Sequence, residues 1–158
     1  MSVTQLLRRP ARPLLSRFRA FEMRGVTLKY PSRSWGGVRA DDGTVILALR
    51  AGDIFSDSFG SSCLLWTPHG DGAHGWKDNA SGQERLEHCR LAILHGGAEG
   101  LVVDGDTAAV DPEIVLALRV VKRGADYWAK WGSATRTIGS RAAESSSAYL
   151  RRASGSRA

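Results

Sequence analysis

The sequence predicts an α+β domain: a mostly antiparallel sheet, curled or closed into a small barrel, with one main helix near residues 82–95 beside it. Three observations point there. Short apolar runs rich in strand formers recur between Gly, Asp and Pro turn signals. A single segment carries its apolar residues at helical rather than alternating spacing. The chain has 158 residues, 42% hydrophobic and 24% charged, which is one domain with an ordinary core.

Each element follows from local chemistry. Val26 to Tyr30 alternates and stops at Pro31, a short first strand. Trp35–Arg39 and Thr44–Arg50 flank Asp41-Asp42-Gly43, whose Asp-Gly pair suits a hairpin turn. Ile54 to Phe59 reads as a further extended piece, and Ser62 to Trp66 as a strand ending before Pro68. Residues 67–82 form a polar loop with Gly70, Gly72 and Gly75, two histidines and Trp76, expected over the open end of the barrel. Ser81 and Glu84 then match a capping box. Leu86, Cys89, Ile93 and Leu94 share one helical face, Glu84, Arg85, Glu87 and Arg90 lie mostly off it, and Gly96-Gly97 stops the helix. Gly100–Val103, Glu113–Lys122 and Asp126–Gly132 are the remaining strands, the last two joined by Arg123-Gly124-Ala125. Alternation puts Tyr127, Ala129 and Trp131 on one side of the last strand and Trp128 and Lys130 on the other, and Trp128 is expected in the core.

The net charge of +6 resides in the ends. Residues 1–20 hold five arginines and no acid, and residues 132–158 hold five arginines against Glu144. The segment between has 12 basic and 15 acidic residues. The expected organisation is a disordered basic extension over 1–20, one domain over 21–132 and a disordered basic tail over 133–158. The extension has the composition of a transit peptide, although Pro10 and Pro13 would break a helix there. Basic ends attract polyanions without reading sequence. No run reaches the roughly 18–20 apolar residues of a membrane span, so a cytoplasmic protein is expected. Two cysteines, Cys63 and Cys89, are too few for a disulfide scaffold.

Motifs for catalysis are absent from the sequence. It has no nucleophile elbow, no phosphate-binding Lys-Ser/Thr loop and no zinc spacing among His69, His74, His88, Cys89 and His95. Catalytic residues, metal ligands and cofactors are therefore predicted as none. The alternatives are a small metal-dependent hydrolase using His69, Asp71 and His74, and an accessory domain acting through a partner protein. Five tryptophans are the more informative set. Trp35 beside Gly36-Gly37 and Trp76 beside Lys77 look suited to stacking on a base. The predicted nucleic-acid-binding residues are thus Trp35 and Trp76 as stackers, Arg39 and Lys77 toward phosphate or a base edge, and Glu84 and Arg85 orienting the site. Backbone donors near Gly82 at the helix start add an anion site.

The strings Phe21-Glu22-Met23-Arg24-Gly25-Val26, Ser34-Trp35-Gly36-Gly37-Val38-Arg39 with Asp42-Gly43, and Gln83-Glu84-Arg85-Leu86-Glu87-His88 carry a resemblance. Over residues 21–131 the chain resembles a bacterial domain, found alone or beside HNH-type nucleases, whose fold is similar to the PUA/EVE barrel group. The resemblance implies a PUA-like barrel and a reader of nucleic acid, DNA rather than RNA, perhaps of a modified base held between aromatic side chains. It also implies a partner nuclease, since this chain has no HNH motif. Members often carry a second Trp two residues before the Trp-Gly pair; this chain has Arg33 there, leaving Trp66 or Trp76 to serve.

Overall fold

The computed structural model describes residues 14–69 and 80–132. Among them, eight strands form one mixed sheet: β1 (Leu15–Ser16), β2 (Gly36–Val38), β3 (Val45–Arg50), β4 (Ile54–Asp57), β5 (Gly60–Trp66), β6 (Ala98–Val103), β7 (Ala109–Arg123) and β8 (Asp126–Trp131). Helix α1 (Arg17–Met23) follows β1, and α2 (Ala80–His95) precedes β6. The strand order is β2-β3-β6-β7-β8-β5-β4, with β1 paired to β7. Every pairing is antiparallel except β3 with β6, which are joined by the long crossover that parallel strands need. The α+β class and the mostly antiparallel sheet are as the sequence predicts. No helix among the described residues is long and apolar enough to cross a membrane.

The two predicted hairpins form. In β2–β3, Gly36 faces Leu47 and Val38 faces Val45, while Asp42 Oδ1 accepts from Thr44 N in the turn. In β7–β8, Arg119 faces Lys130 and Arg123 faces Asp126 around Gly124, whose φ of +61° suits glycine.

Three expectations need correcting. Residues 26–30 form no strand: Val26 and Leu28 are buried, but Val26 N bonds Phe21 O, so the alternation reflects burial of a strap, not sheet pairing. The ordered fold starts before residue 21. Ser16 Oγ accepts from Arg19 N and caps α1, whose Ala20 and Phe21 are fully buried with Leu15 and Phe18 packed beside them. The prolines stop short of this helix, so the basic composition that marked residues 1–20 as an extension hid a working amphipathic turn. The α2 face also differs from the predicted one. Gly82, Arg85, Leu86, His88, Cys89 and Ala92 are buried, whereas Ile93 and Leu94 are 42% and 78% exposed.

Two apolar layers sandwich the sheet. On one face Val45, Leu47, Leu49, Val102, Leu116 and Tyr127 pack under α2. On the other, Ile46, Ala48, Leu101, Val103 and Val115 pack under α1 and the strap. The sheet is curled without closing by strand pairing. Three strands separate β3 from β5, which in a flat sheet would place them about 19 Å apart. Yet the guanidinium of Arg85 donates both to Ala48 O on β3 at 2.9 Å and to Leu65 O on β5 at 3.2 Å. One side-chain head group therefore spans the seam between them.

Candidate nucleic-acid interface

The predicted residues separate into two groups. Trp35, Glu84 and Arg85 meet where α2 packs on β2. Arg85, 4% exposed, donates to Trp35 O at 2.8 Å as well as to the two strand carbonyls, and burial lowers its pKa from the ordinary value. Its hydrogen bonds hold backbone rather than face solvent. Glu84 accepts from Ser34 Oγ at 2.8 Å, so the predicted capping-box carboxylate instead tethers α2 to the segment before β2. Trp35 is half-buried against the second core, and two guanidiniums lie over its ring, Arg17 at 4.6 Å and Arg50 at 4.7 Å. A base stacking on this ring would have to displace one of them.

Arg39 belongs to a different cluster. It donates to Glu99 Oε1 at 2.7 Å, to Asp42 Oδ2 at 3.1 Å and to Arg24 O at 2.8 Å, and Arg24 shares the same Glu99 oxygen. Glu99 is 7% exposed, so these cations balance a buried carboxylate. Trp76 and Lys77 lie outside the described residues, as do Asp71 and His74 of the hydrolase alternative; His69 is exposed. Among the described residues no group of His, Cys, Asp and Glu is placed to hold a metal ion. Burial pushes the Cys63 and Cys89 thiols up to about 11, so both are protonated at neutral pH.

The sequence reading missed a surface on the far half of the sheet. The layer under α1 ends at Val115 on β7. Further along the same face, Ala117, Arg119, Val121 and Arg123 alternate toward the outside. Register then carries that face across the sheet: Arg119 opposes Lys130, Lys130 opposes Ser62, and Ser62 opposes Phe55. A second row runs Val121, Trp128, Leu64. None of these residues belongs to either core. Trp128, expected in the core, is half-buried on this outer face. The first row lines a groove of about 720 Å³ with Phe59 and Arg123, and the groove reaches past the row to Leu118 and Trp131 of the layer under α2.

Two features of this groove are chemically informative. Phe55 is 63% and Phe59 93% exposed, so two large apolar side chains stand in solvent at the groove. Arg119, Arg123 and Lys130 form no ion pair with a described residue. Asp57, the one carboxylate lining the groove among the described residues, accepts from Phe59 N at 2.8 Å and Gly60 N at 3.1 Å, pinning the hairpin tip that presents Phe59. The alternation of Arg119 with Arg123, and of Trp128 with Lys130, is visible in the sequence. Their union with Phe55 depends on the order β7-β8-β5-β4. Compared with family models, curated proteins and solved structures, the chain matches none.

Proposed function

We propose that this protein is a non-catalytic nucleic-acid-binding module whose ligand lies in the groove on the open half of the sheet. The observation that carries the reading is the row in which exposed phenylalanine meets cations that pair with no described carboxylate: Phe55, Ser62, Lys130 and Arg119, with Phe59 and Arg123 beside it. Aromatic rings with interleaved cations suit bases and phosphates together. Gly132 lines the groove, and the sequence after it holds five arginines and one glutamate, which would add phosphate contacts. The resemblance of residues 21–131 to the PUA/EVE barrel group supports nucleic acid as the ligand class, and DNA with a partner nuclease within it. A modified base flipped from its stack calls for an enclosed pocket; an open groove better suits bases that stay in their strand.

The test is oligonucleotide binding by the full chain, followed by fluorescence anisotropy. Arg119→Glu with Lys130→Glu should lower affinity by at least about tenfold at low salt, since two phosphate contacts become repulsions. The melting temperature should change little, because both residues lie outside the cores. Trp35→Ala should behave oppositely, losing stability while the folded fraction still binds. If Trp35→Ala stays folded and loses binding while the charge reversals keep it, the ligand sits at Trp35 and the groove reading is wrong.

A further inference from the structure

Resting on that reading of the groove, we infer that its ligand is a single-stranded polynucleotide, with bases stacked on Phe55 and Phe59 and phosphates held by Arg119, Arg123 and Lys130. Size is the first argument. A groove of about 720 Å³ has room for a nucleotide or two of a strand passing through it. Shape is the second. The face is four strands wide, β7-β8-β5-β4, or about 14 Å between its outer backbones before side chains are added. A major groove about 12 Å wide admits a helix or a two-stranded ribbon, not this face.

The third argument is what the aromatic rings can touch. Phe55 and Phe59 present bare rings with no hydrogen-bonding atom, so they read neither a base edge nor a phosphate. Such a ring binds through its face, and base faces are covered inside a duplex but open in a single strand. Ser62 lies between Phe55 and Lys130 in the row, where its hydroxyl is placed to meet sugar or phosphate without demanding one base. Arg119 and Arg123 are four residues apart on one strand, about 13 Å, so the cations extend in line and suit a backbone running along β7. A short, sequence-tolerant site results, near the lower end of the roughly 4–16 nucleotides covered by single-strand modules.

The experiment compares a labelled single strand of about 12 nucleotides, enough for one such site, with the duplex of the same sequence, using the full chain. The single strand should bind at least about tenfold more tightly, in keeping with the loss of stacking on pairing. Phe55→Ala and Phe59→Ala should each weaken single-strand binding and leave the melting curve in place, since both side chains are exposed. Phe55→Trp should retain binding and report it by quenching of the new indole. Duplex binding that equals or exceeds single-strand binding, and that is lost on reversing Arg119 and Lys130, overturns the single-strand inference and leaves the nucleic-acid reading standing. Single-strand binding indifferent to both phenylalanine changes overturns it as well. Binding of neither form overturns both.

Discussion

His88 is a histidine that the fold keeps neutral. It is 8% exposed on the buried face of α2, and its Nδ1 has no hydrogen-bond partner among the described residues. A Cβ at Gly36 would come within 3.1 Å of that nitrogen, so the ring sits in space that only glycine leaves. Burial first, and then the Arg85 charge, lower its pKa from 6.5 to about 4. In the unfolded chain the imidazole takes up a proton near its ordinary value. Between the two values the unfolded state binds more protons, so stability must fall as pH drops from about 6.5 toward about 4. The loss from this residue should approach roughly 3 kcal/mol and then level off. Chemical denaturation of His88→Gln against the unaltered protein at pH 7 and pH 4.5 checks this: the variant should show the shallower dependence, and parallel behaviour would remove His88 as the cause.

At the level of elements, α1 and the strap act as a lid on one half of the sheet. They cover Ile46, Ala48, Leu101 and Val115 and stop where β7 passes into its exposed half. The strap is seated by a close approach: a Cβ at Gly37 would collide with Val26 Cγ1. Gly37→Ala should therefore destabilise by about 1–3 kcal/mol, the usual cost of overpacking. Combined with Val26→Ala it should cost less than the two changes added, because the second removes the methyl that the first strikes. Thermal melts of both single variants and the double variant measure the coupling. Strict additivity would mean that the strap is not held against β2 in this way. The lid also decides where the groove can be. Adding elements over the far half of the sheet would bury Arg119 and Lys130, and their exposed neighbours Phe55 and Phe59 would become core.

For the molecule as a whole, Arg85 holds a seam. The strand order leaves β2 and β4 as edges, and the sheet curls until β3 and β5 face each other across the guanidinium. A planar head group with five donors can meet three carbonyls at fixed angles, which an ammonium cannot. Arg85→Met should cost about 3 kcal/mol or more, the loss of several charge-assisted bonds to buried acceptors. Arg85→Lys should recover only part of it. Denaturant unfolding of the two variants is the check, and a lysine variant as stable as the original would show that charge rather than the fork holds the seam. Because Arg85 does not line the groove, the proposed function expects folded Arg85→Lys protein to bind oligonucleotides as the unaltered protein does.

Local signals made much of this protein legible. Asp42-Gly43 and Arg123-Gly124 turn the chain whatever surrounds them, because backbone conformation at those residues is set by their own sterics and side chains, and both hairpins form there. The spacing of Leu86 and Cys89 likewise announces a helix. Burial of a charged residue leaves no such mark: Arg85 and His88 look like solvent-facing positions until three carbonyls and a glycine gap are brought around them by strands distant in sequence. Trp35 shows the same limit, since its arginine neighbours come from α1 and β3. The groove is the clearest case. Phe55, Ser62, Arg119 and Lys130 are ordinary residues of four different strands. Their row is a property of register, and which face stays open is decided by where α1 ends its cover. By itself the sequence determined the fold class and its turns, which rest on interactions between near neighbours. Tertiary structure alone decided which cations serve the fold and which line the groove, because that depends on pairings between residues far apart along the chain.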